Sequence, residues 1–410
     1  MEPGVPVVYI CGDSTVCDQP GIFQLVTLLV EGHICYVFAN SGVELNNRRN
    51  GIELGLSPTF HSLNTSAERI GMHIAVIGCG YWGPNHIRSF QGVADCRVTA
   101  VDSDSSRLAE MSKRFSLLGV ETETERIWTD PDVNAVVIST PTATHYELAK
   151  RSLRAGKHVL CEKPLCMVTR QATELAQLAK DRGLQLMTGH TFLFNPGIVK
   201  IKQLIDQDEL GTVFSLSAVR TNLGPIRSDV NAAYDLAAHD VAVFNWLLEA
   251  EPEVVSAIGG DYVQHGIQDV VFINLRYPAH QVANIHASWL NPRKVRQMTI
   301  VGSRRMVTWD DLSTQTPVAI YDRGANVASN DTSFGEFLRV ATWDGDVRLP
   351  KIEATEPLRV QSQYFVDSLR EPTKRRSNGW FSRGVVRTLE AVSHSLAQAG
   401  MPIQLAEISS

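Results

Sequence analysis

Met72-His73-Ile74-Ala75-Val76-Ile77-Gly78-Cys79-Gly80-Tyr81-Trp82-Gly83 is an apolar run that stops at a glycine-rich turn, and it decides the fold of the chain beyond it. His73 to Ile77 reads as a buried strand, and the helical stretch Asn85 to Phe90 comes after the turn. In such a unit Gly78 permits the tight turn, Gly80 lets backbone approach a pyrophosphate, and Gly83 lets helix pack closely on strand. The helix N-terminus then offers unpaired N–H groups to phosphate oxygens. Tyr81 and Trp82 lie inside the turn and are candidate cofactor contacts. The next run, Arg97 to Val101, ends at Asp102, 19 residues after Gly83. An acid there can accept from both adenosine ribose hydroxyls and repels a 2′-phosphate, which favours NAD over NADP. No base stands between Asp102 and Arg107. Taken alone, Asp102 is also a solvated turn acid or the cap of the next helix.

Further along, Ala135 to Ser139, the helix Thr144 to Ala155, the strand His158 to Cys161, the helix Thr169 to Arg182 and the strand Gln185 to Thr188 keep the alternation going. Short apolar runs separated by amphipathic stretches predict a parallel sheet with helical crossovers. Ligands of such sheets lie at the carboxyl ends of the strands. Thr140, Pro141, Glu162, Lys163 and His190 stand at or just past those ends. Later runs, Val254 to Ala257, Val270 to Tyr277, Val282 to Trp289, Gln297 to Val301 and Met306 to Trp309, suit an antiparallel or mixed sheet. Helices over Pro357 to Leu369 and Ser382 to Ala399 close the chain. The fold class is α/β: a Rossmann doubly wound parallel sheet over 72–192, an α+β domain with an open mixed sheet over 193–400, and a tail over 401–410.

The run Ser139-Thr140-Pro141 to His145, followed by Gly156-Lys157-His158-Val159-Leu160-Cys161-Glu162-Lys163-Pro164-Leu165, resembles the signature of the Gfo/Idh/MocA family, the glucose-fructose oxidoreductase, inositol dehydrogenase and MocA-like proteins. Glu162-Lys163-Pro164 is its most diagnostic piece. The resemblance covers Met72 to roughly Ala399 and implies a Rossmann domain followed by a domain whose open sheet faces the nicotinamide. It implies cofactor contacts at Thr140, Pro141, His145 and Glu162. Lys163 also has a physical reason: an ammonium near the nicotinamide stabilises alkoxide character as hydride leaves. Pro164 keeps the preceding residue extended and so aims the side chain. As bare sequence the tripeptide is equally a surface turn.

Asn231 to Asp240, continued by Val241, Phe244, Trp246 and Leu247, suggests a helix with Asp235 and His239 at i and i+4 on one face. A His near its unperturbed pKa of ~6.5 can take a hydroxyl proton, and a carboxylate one turn away can fix its tautomer. The resemblance implies Lys163, Asp235 and His239 as the catalytic set, with His239 as acid/base. Without it, the two are an ordinary helix-face pair. Asp240 is the poorer partner, because adjacent residues diverge on a helix. Arg220 to Asn231 offers two guanidiniums and two amides, and arginine forks suit carboxylates and phosphates. This segment is similar to a nucleotide-sugar subgroup of the family that includes UDP-N-acetylglucosamine 3-dehydrogenases. That likeness makes Arg220, Asn222, Arg227 and Asn231 candidate substrate contacts, alongside Lys163. The alternative is an exposed loop with a Gly-Pro turn. Asn195 stands at the expected domain crossing, and His190 could reach cofactor or substrate.

Composition narrows the rest. The 410 residues carry 38 Lys plus Arg against 44 Asp plus Glu, a net charge of -6 that gives no electrostatic reason to hold nucleic acid. Seven Cys form no CxxC pair, so reduced thiols in a cytoplasmic enzyme are expected, with no metal. Residues 1–71 contain no Lys, three Arg and seven acids. Their most apolar stretch, Gly21 to Ala39, is broken by Gln24, Thr27, Glu31 and His33, a poor match to the roughly 20 apolar residues of a membrane span. The acids ahead of it are opposite to a secretory leader. An accessory domain, a disordered or partly ordered extension, and sequence translated upstream of the true start all fit. The expected function is NAD-dependent oxidation of a sugar or nucleotide-sugar hydroxyl, with a UDP-N-acetylglucosamine-type 3-dehydrogenase favoured. An inositol or other polyol dehydrogenase and a non-catalytic dinucleotide-binding protein are the alternatives. A homo-oligomer, dimer or tetramer, with no membrane partner is expected.

Overall fold

The computed structural model describes residues 71–327, 340–371 and 376–408, together with the backbone of the strands Gln24–Val30, His33–Ala39, Asn47–Arg48 and Gly51–Ile52. Gln24–Val30 pairs antiparallel with His33–Ala39, and Asn47–Arg48 with Gly51–Ile52. Most of the segment expected as an N-terminal extension lies outside the described residues, and Met1–Glu68 forms a unit separate from Arg69–Ser410.

In the larger unit, Met72–Ile77 (β1), Cys96–Val101 (β2), Gly119–Glu121 (β3), Ala135–Ile138 (β4), His158–Cys161 (β5) and Leu186–Thr188 (β6) form a parallel sheet. Its order is β6-β5-β4-β1-β2-β3, so the direction of winding reverses between β1 and β4, where doubly wound sheets bind ligands. The helices are Gly83–Gln91 (α1), Ser105–Arg114 (α2), Thr124–Thr129 (α3), His145–Arg154 (α4) and Thr169–Asp181 (α5). Alternate residues of β1 enter different cores, as the two-residue period of a strand requires. Ile74 and Val76 pack with Ile87 and Phe90 of α1, while Ala75 and Ile77 pack with Ala149, Leu153, Ala172 and Leu175 of α4 and α5. Both faces are therefore covered.

The chain crosses through Pro196–Asp206 (α6) into a nine-stranded sheet. Its strands are Val213–Leu223 (β7), Val254–Gly260 (β8), Val270–Arg276 (β9), Val282–Ser288 (β10), Leu290–Gly302 (β11), Met306–Asp310 (β12), Val318–Val327 (β13), Val340–Arg348 (β14) and Ile403–Gln404 (β15). The order is β14-β13-β12-β11-β7-β10-β9-β8-β15, with β7 parallel to β10 and antiparallel to β11, so the sheet is mixed. Within the expected tail, 401–410, Ile403 and Gln404 form the edge strand β15 on Val255 and Val254, with Ile403 and Leu405 buried.

The expected single helix through Asp235 and His239 is instead a π turn, Ala233–Ala237, that leads into Ala238–Leu248 (α7). The Ala238 N–H bonds the Ala233 carbonyl five residues back, and such widened turns occur often at functional sites. Pro357–Arg370 (α8) and Gly379–Ala397 (α9) complete the unit. On α9, Glu390 accepts from the Thr169 N–H at 2.7 Å and caps α5, which Val168 cannot do. The last helix thus ties the two sheets together.

Candidate active site

A cleft of about 2120 Å³ opens at the carboxyl ends of the parallel strands and extends over β7 and β11. Typical pockets for a small ligand measure roughly 300–1,000 Å³, so this one has room for a dinucleotide and a second molecule. At one end Gly78 sits at φ +95°, where a side chain would be strained and would meet the Ser139 carbonyl at 2.8 Å. A Cβ on Gly83 would lie 2.1 Å from the Gly78 oxygen, whereas one on Gly80 would meet only Arg107, at 3.9 Å. The outer glycines hold turn to helix, and the middle one leaves its backbone open to the cleft. Tyr81, 85% exposed, and Trp82 line the same end.

Asp102 closes this end. Its Oδ2 accepts from the Cys79 N–H at 2.7 Å and its Oδ1 from the Asp104 N–H at 2.9 Å. Capping of α2 belongs to Asp104, which accepts from the Ser106 N–H, so Asp102 is left at the cleft wall. Arg107 approaches Asp102 at 3.7 Å. An open glycine turn and a held acid at the end of the second strand are what a dinucleotide needs. Gly78, Gly80, Asp102 and the Thr140-Pro141 turn would hold NAD.

Past the turn, β4 and β5 end side by side and bring Thr140 and Lys163 to the cleft. His145 lies between the Thr140 carbonyl, 2.9 Å from Nε2, and the Pro164 carbonyl, 2.8 Å from Nδ1. It donates to one of them in either tautomer and clips the two loops together. Glu162 is buried, accepts from the Lys163 N–H at 3.1 Å and pairs with His86 of α1 at 2.8 Å. Burial pushes its carboxyl up, but the His86 contact and the Lys163 charge outweigh it and hold the group below the ordinary carboxylate range.

Lys163 is only 9% exposed. Its ammonium donates to the Asp235 carbonyl at 2.7 Å and to Asp235 Oδ1 at 3.2 Å. Asp235 also accepts from Trp289 Nε1 at 3.1 Å and from Arg227 at 3.3 Å. Burial raises its carboxyl, and Lys163, Trp289 and Arg227 together pull it below the usual value. The expected Asp235–His239 hydrogen bond does not form: within the π turn the carboxylate faces Lys163, and His239 Nδ1 has no partner among the described residues. Burial, then the Lys163 and Arg220 charges, hold the His239 imidazole well below its ordinary pKa, so it is neutral. A neutral imidazole and a paired ammonium on one cleft can take a proton and stabilise an oxyanion.

Residues 72–190 match the family profile described as "Oxidoreductase family, NAD-binding Rossmann fold", and residues 198–308 match the "GFO/IDH/MocA C-terminal domain". The chain belongs to the Gfo/Idh/MocA oxidoreductase family. Inositol 2-dehydrogenase 2 of Saccharopolyspora erythraea is 31% identical over 218 residues, 52% of this chain and 64% of that relative. UDP-N-acetylglucosamine 3-dehydrogenase of Acidithiobacillus ferrooxidans is 30% identical over 259 residues, 62% of this chain and 79% of that relative. Among solved structures, GenD2 from gentamicin A biosynthesis in complex with NAD superposes with a TM-score of 0.68 at 25% identity, covering 82% of this chain and 96% of that one. NAD is thus the cofactor of this Gfo/Idh/MocA oxidoreductase, and the mixed second sheet is its C-terminal domain.

Three of the expected contacts of this Gfo/Idh/MocA chain do not reach the cleft. Asn231 bonds Gln268 at 3.0 Å and caps the π turn by accepting from the Tyr234 N–H, away from the cleft lining. His190 is packed edge-on against Phe381, and burial pushes it down to about 3. Gly83 packs inward, as the glycine geometry requires. Arg220, Asn222, Arg227 and Asn195 do line the cleft. Arg227 is engaged by Asp229 at 2.6 and 2.8 Å, and Asn195 caps α6 while donating to Asp311 at 3.0 Å. Arg220 is claimed by Asp240, the acid that helical spacing made the poorer partner, through bonds of 2.7 and 2.9 Å. His86, Phe192, Trp289, Lys294 and Arg296 are not legible as site residues in the sequence, because tertiary packing brings them to their neighbours, whereas Arg107 meets Asp102 and Asp104 a few residues back. His86 carries a faint signal, three residues after Gly83 on the cofactor helix.

Proposed function

We propose that the protein is an NAD-dependent dehydrogenase acting on a secondary hydroxyl of a sugar or nucleotide sugar, of the UDP-N-acetylglucosamine 3-dehydrogenase type. The observation that carries this reading is Lys163, fixed by Asp235 in the same cleft that the neutral imidazole of His239, its Nδ1 unpartnered, also lines. His239 takes the hydroxyl proton as the O–H bond breaks, and its neutral state leaves it ready to do so. Lys163 donates to the same oxygen and stabilises the negative charge that develops on it. Asp235 positions Lys163 and offsets its charge. The carbon bearing that oxygen loses its hydrogen as hydride and becomes a carbonyl carbon; NAD, which Gly78, Gly80, Asp102 and the Thr140-Pro141 turn would hold, would supply the hydride acceptor. The 30% identity to the Acidithiobacillus enzyme supports the nucleotide-sugar form. The similarity to inositol 2-dehydrogenase 2 supports a second reading, oxidation of a free polyol.

Following NADH absorbance at 340 nm with UDP-N-acetylglucosamine, other UDP-sugars and myo-inositol tests both; no NADH with any of them overturns the enzyme reading. Self-association belongs to the same proposal: Ile258 and Phe272, directly opposite on β8 and β9, are 57% and 45% exposed. A monomer in light scattering would remove it. A cytoplasmic location is proposed too, and cell fractionation checks it. Among the described residues no helix is long and apolar enough to cross a membrane.

A further inference from the structure

Arg220 on β7 lies directly opposite Arg296 on β11, and Lys294 stands two residues back along β11. All three line the cleft. Like charges directly opposite on paired strands repel, so such an arrangement persists only with compensation. Two of the three have it. Asp240 holds Arg220 bidentately, and Asp311 meets Arg296 at 3.1 Å. The Phe192 ring also lies against both guanidiniums, with Arg220 Cζ 4.3 Å and Arg296 Cζ 5.9 Å from its centroid. Lys294 has no carboxylate partner among the described residues.

Lys163 and Arg227 face Asp235 and Asp229, Arg220 faces Asp240, and Arg296 faces Asp311. Each of these four cations thus meets a carboxylate, Glu162 beside Lys163 is held by His86, and Lys294 is the cation of the set that no carboxylate meets among the described residues. The same Phe192 ring that meets Arg296 meets His239 edge-on at 4.9 Å, and Lys294 lines the same cleft two residues before Arg296.

We propose that this face receives an oxyanion carried by the substrate, with Lys294 as its ion-pair partner. The inference rests on the sugar-oxidising reading and narrows it to sugars bearing a carboxylate or a phosphate. Arg227, the expected anion contact, is already engaged by Asp229 and Asp235. A rigid sheet presents Lys294, which lowers the ordering cost of an exposed side chain.

The test is calorimetric titration of the NADH-loaded enzyme with glucuronate, with uridine diphosphate and with neutral myo-inositol. The proteins are the parent, Lys294→Ala, Lys294→Arg and Arg293→Ala, the last removing a neighbouring cation that does not line the cleft. At least one anion should bind the parent, lose roughly tenfold in affinity with Lys294→Ala, and recover most of it with Lys294→Arg. Arg293→Ala should bind like the parent, and the anion affinity should fall as salt rises. The anion that loses affinity identifies a carboxylate or a diphosphate as the group recognised. Absence of binding by both anions, or equal affinity in the parent and Lys294→Ala, overturns the proposal. Failure of every sugar to yield NADH would instead overturn the dehydrogenase reading, and the binding result would stand apart from it.

Discussion

Lys163 gives two hydrogen bonds to one residue, Asp235, at 2.7 Å to its carbonyl and 3.2 Å to its carboxylate. The lysine ends a strand of the parallel sheet and the aspartate sits in the π turn of the other half, 72 residues on, so the pair joins the cofactor side of the cleft to its substrate side. Lys163→Ala should lower turnover by about 10²–10³-fold, the scale of losing one preorganised donor to a developing oxyanion. NADH affinity should fall far less, as a fluorescence titration would reveal. Turnover equal to the parent's would remove Lys163 from the chemistry.

The buried imidazoles give the pH dependence a definite sign. His239 is held well below 6.5 by burial first, and His190 is pushed down to about 3 by the same cause. As a base, His239 stays deprotonated below pH 6.5, so the acid limb of kcat/KM should lie beneath that value. For folding, the unfolded histidines bind protons near 6.5 while the folded ones do not. Stability is therefore fully present above 6.5 and is lost as pH falls from there towards 3, by at most about 1.4 kcal/mol per pH unit for each group. Urea midpoints at pH 7.5 and 5.0 should differ in that direction, and His190→Gln should shrink the gap. Equal midpoints would refute it.

Legibility in the sequence tracks interaction range. The glycine turn, Asp102 and Glu162-Lys163-Pro164 are readable because their geometry is local to one strand and its exit. β3 and α3, at 3 and 6 residues, are too short to display a period. The π turn is hidden because one extra residue per turn leaves no mark in a helical pattern, and with it the true partner of Asp235 is hidden too. Trp289 reaches that carboxylate from 54 positions away and Asp240 reaches from helix α7 to Arg220 on strand β7, relations that spacing cannot encode.

Asp102 and its neighbour Arg107 should together set the preference between NAD and NADP. The carboxylate would repel a 2′-phosphate, while the guanidinium, 3.7 Å away and half-exposed, could hold one. Asp102→Ala should raise kcat/KM for NADP relative to NAD by about tenfold or more, on the scale of one charge-assisted contact. Adding Arg107→Ala should take that gain away. If the single change leaves the ratio where it was, Asp102 does not set the preference.

Arg220 and Asp240 are 4% and 2% exposed at their side chains, so each charge depends on the other. Removing one partner of a buried pair strands the remaining charge, which costs about 3–5 kcal/mol. Here the stranded group would be Arg220, already opposite Arg296, and its repulsion would no longer be offset. Asp240→Ala should therefore shift the urea midpoint far more than Glu110→Ala, which breaks the exposed Glu110–Arg114 pair of α2 and should change it little. Replacing both partners, Arg220→Met with Asp240→Leu, removes the charges together and should recover most of the loss, because an apolar pair of similar volume needs no compensation. A small effect of Asp240→Ala, or no recovery in the double variant, would mean that the pair is solvated and that the face of β7 and β11 tolerates its cations without it.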